Sequence, residues 1–216
     1  MDIRPDAGPF RLAVDLGTTS IHWRLLDGTG HEAASGQALN PQMGAGSDVV
    51  SRLAAARNQE GRERLRHLVL RFLQRAVSDV GVPVAELCIA GNTAMTSILL
   101  NKDVAGLCAA PYRLTEPGGR TADLPGLPPA WIPPQPAPFV GGDISAGMAA
   151  LLYGETPEFP FLFADLGTNG EFVLAVDAGR AFIASVPLGP SLEGIGLRYG
   201  GVADAGSVSG FQLGPS

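Results

Sequence analysis

The peptide Asp15-Leu16-Gly17-Thr18-Thr19 recurs 150 positions later as Asp165-Leu166-Gly167-Thr168-Asn169. Each copy closes an apolar run, Leu12-Ala13-Val14 in the first and Phe161-Leu162-Phe163-Ala164 in the second. In both, a further apolar stretch ends twelve residues after the first aspartate on another, Asp27 or Asp177. One Asp-x-Gly-Thr is a weak signal, since many β-turns satisfy it. Two copies in matching strand–turn–strand settings point to a duplicated fold whose two turns face a common space.

The rest of the chain arranges itself around this repeat. Leu12–Asp15, Ile21–Leu26 and roughly Glu32–Ala38 have the pattern of three strands joined by short turns, with Asp27-Gly28 opening the second turn. Ser47-Asp48 can cap a helix starting at Val49, and apolar residues at three- and four-residue steps (Leu65, Leu68, Val69, Phe72, Ala76, Val80) predict one long amphipathic helix to about Val80. Leu87-Cys88-Ile89-Ala90 reads as a buried parallel strand, Gly91-Asn92-Thr93 as the turn into an apolar helix reaching about Leu100. Eight prolines fall between Pro117 and Pro138. Trp131, Ile132 and Phe139 give that stretch something to bury, so it reads as an ordered, irregular excursion. Phe139-Val140 reads as a last short strand, and Ile144–Tyr153 as a small-residue helix ended by Gly154. After Pro157 the opening pattern restarts, with strands to Asp165, over Phe172–Val176 and over Ala181–Val186.

The expected fold class is therefore α/β, a mixed sheet with flanking helices. A complete first lobe covers residues 1–156 and the opening strands of a second cover 157–216. The second unit lacks the helices that should cover its sheet. The chain is accordingly expected to be a fragment of a longer protein, burying that face against a second copy as a homodimer or ordering poorly after about Tyr199.

Composition excludes several functions. The net charge is −6, which weighs against nucleic acid as the main partner. The one basic cluster, Arg62, Arg64, Arg66, Arg71 and Arg75, falls mostly off the apolar stripe of its helix and reads as a solvated face. Apolar runs are too short for a membrane span and the start has no signal-peptide core, so a cytoplasmic location is expected. Cys88 and Cys108 are the only cysteines and read as buried thiols. Two such residues cannot hold an iron–sulfur cluster.

At a strand end, Gly17 permits a tight turn, and the amides of Leu16 to Thr19 can then face an anion. Thr18 and Thr19 add hydroxyl donors. Asp15 cannot hold a phosphate directly; its role is to hold Mg²⁺, directly or through water, with the metal bridging to phosphate. Asp165, Gly167, Thr168, Asn169 and Gly170 offer the same parts, so the expected ligand is a nucleotide with its metal. Asp143 follows a Gly-Gly turn and serves both as a helix N-cap and as a group that orients water or accepts a proton during attack on a terminal phosphate. Gly91-Asn92-Thr93 is read as a helix cap ahead of a ligand contact, and Glu171 as a strand residue at the cleft edge. Gly189–Gly194 is a candidate nucleotide-side loop, through Ser191 or Glu193. His22, His31 and His67 are scattered and suggest no metal site.

With these residues in place, the chain resembles the acetate and sugar kinase, Hsp70 and actin superfamily. Asp15–Thr19 matches its first phosphate loop, Gly141–Gly154 its first connecting helix and Asp165–Gly170 its second phosphate loop. The resemblance implies a ribonuclease H-like, actin-like ATPase fold, ATP and Mg²⁺ as cofactors, and Asp143 as the catalytic candidate. A closer similarity covers nearly the whole chain. Asp15–Thr19, Ala38-Leu39-Asn40-Pro41-Gln42, Asp48–Arg52, Gly91–Met95, Asp165–Glu171 and Gly189–Gly194 come in the order found in reductive activators of corrinoid proteins. That resemblance implies a weak ATPase that drives an inactive Co(II) corrinoid back to Co(I). The partner would be a corrinoid protein or corrinoid methyltransferase, and the electron would come from a [2Fe–2S] domain that this sequence does not contain. The isolated chain is then expected to be inactive. A small-molecule kinase of the same superfamily and a nucleotide-free interaction module remain the alternatives.

Overall fold

In the computed structural model the described residues are 8–154, 157–167 and 169–188. Three strands open the chain, β1 (Phe10–Leu16), β2 (Ser20–Leu26) and β3 (Glu32–Leu39), paired as antiparallel neighbours. Along β1, Phe10, Leu12, Val14 and Leu16 are buried and the residues between them are not, as a strand with one covered face requires. The β2–β3 turn is closed by Asp27, whose carboxylate accepts from the Thr29 and His31 amides at 2.8 and 3.0 Å. Asp177 accepts from the Gly179 amide at 3.0 Å in the matching turn of the second unit. The second aspartate of the repeat is thus a turn residue.

The predicted long helix is two helices, α1 (Val49–Ala55) and α2 (Gln59–Asp79). Asp48 caps α1 by accepting from the Ser51 amide at 2.9 Å, and Asn58 caps α2 by accepting from Gly61 at 2.8 Å. Asn58 competes for backbone hydrogen bonds and restarts the helix where the apolar periodicity alone runs through. A Cβ on Gly61 would lie 2.0 Å from the Ala55 carbonyl oxygen, so the glycine is what lets the two helix ends meet. Leu65, Val69, Leu70, Leu73 and Ala76 of α2 enter the core. Two arginines expected on its solvated face do structural work instead: Arg62 donates to Asn101 Oδ1 at 3.1 Å and Arg66 to the Leu99 carbonyl at 2.9 Å.

Strand β4 (Val84–Gly91) runs parallel to β1, as expected, but buries only one face, with Leu87, Ile89 and Gly91 inward and Cys88 and Ala90 half-buried. It leads into α3 (Thr93–Leu99), all of whose residues are buried. A four-residue turn of helix, α4 (Ala105–Cys108), follows. The Pro-rich stretch is ordered, as expected, and adds two short strands, β5 (Arg120–Ala122) and β6 (Ala130–Ile132). The first sheet has the order β3-β2-β1-β4-β6-β5, with β1, β4 and β6 parallel. Phe139-Val140 is not the strand predicted. Ala130–Ile132 occupies that place in the sheet, and Phe139 turns the chain with φ +61° beside an isolated Ala137–Val140 bridge. The prolines at 133, 134, 136 and 138 have no N–H to give a ladder. Cys108 is exposed and Cys88 half-buried, correcting the expectation of two buried thiols.

Helix α5 (Gly142–Tyr153) then leads to a second, wholly antiparallel sheet of β7 (Phe161–Leu166), β8 (Asn169–Asp177) and β9 (Arg180–Pro187). Val140, Ile144 and Met148 pack against Val173 and Phe163 in a small core of their own. A Cβ on Gly147 would sit 2.7 Å from the Phe163 ring, so the small-residue pattern of α5 is what seats it on this sheet. The opposite face of the sheet carries Leu162, Leu166, Leu174, Phe182 and Val186, all exposed. Among the described residues no helix is long and apolar enough to cross a membrane.

Candidate functional site

The two Asp-x-Gly-Thr turns meet across one cavity of about 470 Å³. The first turn contributes Asp15, Gly17, Thr18 and Thr19 to its wall, the second Asp165, Gly167 and Asn169, and α5 contributes Asp143. Of the remaining residues predicted for the site, Thr168 lies outside the described residues, as do Ser191 and Glu193 of the candidate nucleotide loop. Gly170 does not line the cavity. It pairs with Leu166 and Val186 on the outward face of the second sheet, where a Cβ would meet Leu188 at 2.8 Å.

The first turn is held from within the lobe. Asn40 donates from its side chain to the Gly17 carbonyl at 2.7 Å and from its backbone to the Thr19 carbonyl at 2.8 Å. Asn92 caps α3 by accepting from the Met95 amide at 3.0 Å while its own Nδ2 donates to Thr18 Oγ1 at 2.9 Å. It therefore both caps the helix and lines the cavity. By accepting from Asn92, the Thr18 hydroxyl keeps its hydrogen to donate elsewhere. Gly17 is required at this turn because a Cβ would lie 2.6 Å from the Ser20 carbonyl oxygen. Asp143 is not the N-cap of α5: Gly141 holds that position, and Asp143 stands in the first turn, accepting from the Ile144 amide at 2.9 Å.

Strand register sets the charge around the two aspartates. Asp15 faces His22 across the β1–β2 pair, whereas Asp165 faces Glu171 across the β7–β8 pair. His22 and Glu171 are thus counterparts in the two units, and both line the cavity. Glu171 is 5% exposed. Burial, then the nearby Asp143 and Asp165, push its carboxyl up to about 8. Burial, reinforced by Asp165 and Asp15 and opposed by the Ile144 amide, brings Asp143 to about 6. Asp15 is also raised, by burial first, with His22 pulling it back. Sequence reading placed Glu171 at the cleft edge and set His22 aside as structural or surface. Counting outward from a tight turn finds both, since each is the cross-strand partner of a loop aspartate.

Four carboxyl groups line this space, and among the described residues no lysine or arginine does. Such a lining favours an anion that arrives with its own cations. No three His, Cys, Asp or Glu side chains among the described residues come together as a cage for a bare ion. The spread of carboxylates suits a hydrated divalent cation held through its waters and through phosphate.

The family model of the RACo middle region matches residues 10–153, and that of the C-terminal domain of RACo, the ASKHA domain, matches residues 160–216. The chain belongs to the RACo family. It is 29% identical to the corrinoid activation enzyme RamQ of Eubacterium limosum, over 92% of this chain and 36% of that protein. Among solved structures it is similar to a reductive activator for a corrinoid, iron-sulfur protein, with 29% identity, a TM-score of 0.75 and coverage of 92% of this chain and 34% of that one. The chain thus spans about a third of the length of these RACo-family relatives. A 2-dehydro-3-deoxygalactonokinase from Sinorhizobium meliloti shares the fold at 16% identity and a TM-score of 0.51, covering 87% of this chain and 57% of that one. The fold is the ribonuclease H-like mixed sheet that the resemblance implied, and the family is one of corrinoid activation.

Proposed function

We propose that this chain is the phosphate- and metal-holding part of an ATP-dependent activator that returns a corrinoid protein from Co(II) to Co(I). The observation that carries the reading is the convergence of both repeated turns, with Asp143 between them, on one carboxyl-lined cavity to which, among the described residues, no lysine or arginine contributes. Thr18, Thr19 and Asn169 bind phosphate oxygens, and Asp15 and Asp165 hold the waters of Mg²⁺. When bound, the metal neutralises phosphate charge. With its carboxyl near 6, Asp143 is mostly ionised at neutral pH and able to accept a proton from a water attacking the terminal phosphate. The division into lobes at 1–156 and 157–216 belongs to the same proposal, nucleotide closing one upon the other. The electron would come from an iron–sulfur domain of the parent protein.

Titration of Mg·ATP into the parent protein, with and without a corrinoid protein, tests this. Asp15→Ala and Asp165→Ala are each expected to weaken binding at least tenfold, and unchanged affinity in both would reduce the repeat to a structural element. One observation favours a second reading. A cavity of about 660 Å³ on the first sheet shares Asp15, His22, Ala90 and Ala146 with the first, and could seat a phosphoryl acceptor as in a small-molecule kinase. ADP formation stimulated by a sugar or acyl acceptor, with no corrinoid protein present, would support that reading over activation.

A further inference from the structure

Arg52 is wholly buried. Its guanidinium donates to the Gly46 carbonyl at 2.6 Å, to Gln42 Oε1 at 2.9 Å and to the Thr18 carbonyl at 3.0 Å, with Met95 Sδ at 3.8 Å. None of these acceptors carries a charge, and among the described residues Arg52 enters no ion pair. The adjacent carboxylate, Asp48, is taken up by the Ser51 amide and hydroxyl at 2.9 and 2.7 Å. A guanidinium keeps its proton at any working pH, so a full positive charge stands in the core with no carboxylate bonded to it, Asp48 acting on it only through space. Burying such a charge is expensive, and an apolar side chain in its place is often no less stable. The arrangement therefore calls for a role beyond packing.

Two consequences of the geometry supply one. First, Arg52 and Asn40 together hold three successive carbonyls, those of Gly17, Thr18 and Thr19, on the interior side of the turn. A trans peptide sets each N–H opposite its carbonyl, so these bonds fix how the whole turn presents itself to the cavity. Second, the cavity wall in front of the turn carries four carboxyl groups and, among the described residues, no lysine or arginine. Arg52 sets a permanent positive charge directly behind that turn, where little water screens it.

We infer that Arg52 is a positioning residue for the anion that enters the cavity, locking the first turn and supplying from behind it the positive charge that the wall lacks. The inference rests on the phosphate-binding reading of the cavity. Because Gln42 Oε1 also lies on the guanidinium, Gln42→Glu would set a countercharge directly on Arg52, at the cost of the bond that Gln42 Nε2 donates to the Leu65 carbonyl at 3.0 Å, a cost that thermal unfolding of the variant reads separately.

The test is calorimetric titration of the parent protein with Mg·ATP, alongside thermal unfolding of each variant. Arg52→Met is expected to weaken binding at least tenfold. Arg52→Lys, which keeps the charge and loses the planar fork, should recover part of that loss. Gln42→Glu should weaken binding severalfold while the protein remains folded, which a purely structural arginine would not produce. If the Arg52 variants fail to fold, Gln42→Glu alone decides. Wild-type affinity in Gln42→Glu, or in a folded Arg52→Met, overturns the inference and leaves the site reading intact. No binding of Mg·ATP by the wild-type parent protein overturns both.

Discussion

Leu12 and Leu162 stand three residues before their respective aspartates, on the same strand of the repeated unit, yet Leu12 is fully buried and Leu162 is 62% exposed. The contrast continues along the strand, where Leu16 is 1% exposed and its counterpart Leu166 is 57% exposed. The two strands are nearly interchangeable; the difference lies in the chain downstream of each. After β3 the first unit supplies α1, α2 and α3, whose Leu53, Leu65, Val69, Leu73, Met95 and Ile98 share one core with Leu12, Val14 and Leu16. Among the described residues nothing equivalent lies on the outer face of the second sheet. An apolar residue in a strand therefore specifies a face to be covered, and the stability it contributes depends on the cover.

Truncating the paired leucines should separate the two units most widely. Leu12→Ala should destabilise the chain by about 2–5 kcal/mol, the usual range for a fully packed leucine. Leu162→Ala should change stability by less than about 0.5 kcal/mol, as at exposed positions generally. Denaturant unfolding of the two variants reads the difference. Equal losses would mean that the outer face of the second sheet is packed in solution.

The two units also differ in charge, since Asp15 faces His22 and Asp165 faces Glu171. The carboxyl groups of Glu171 and Asp143 are raised in the folded state, to about 8 and about 6. Between about pH 4 and 8 these two groups bind more protons folded than unfolded, so the stability they contribute is fully present below about pH 4 and is lost as pH rises through 6 and 8. The loss should be on the order of a few kcal/mol at alkaline pH. Glu171→Gln is expected to remove most of the slope above pH 6, and His22→Gln to leave it. An unchanged profile in Glu171→Gln would show that the second unit does not bury a charge-averse carboxyl.

Much of this was legible in the sequence because it is local. Short apolar runs closed by turns located β1, β2 and β7 to within two residues, and Asp48 announced the start of α1 by its chemistry. The break at Asn58 was hidden by an apolar stripe that stays in phase across it, and the short strand Ala130–Ile132 by the prolines around it. Site residues carried by the turns were visible for the same local reason. Glu171 and His22 depend on register across a hairpin, and Arg52 on a contact spanning 34 positions. No window of sequence contains such pairings, although the tight turns allow the first two to be counted out.

The smallest effect separates the two glycines of the repeat. A Cβ on Gly17 would fall 2.6 Å from the Ser20 carbonyl oxygen, backbone that can yield only by distorting the turn. On Gly167 it would meet nothing nearer than the Asn169 carbonyl oxygen at 3.8 Å. Gly17→Ala should therefore cost about 1–3 kcal/mol of stability, the usual penalty for overpacking, and Gly167→Ala essentially none. Both glycines line the cavity, so a loss of Mg·ATP affinity at Gly17→Ala has two explanations, a distorted turn or an obstructed ligand. At Gly167→Ala only the second applies. Weakened binding with unchanged unfolding would place a phosphate against the second turn; unchanged binding would confine the anion to the first.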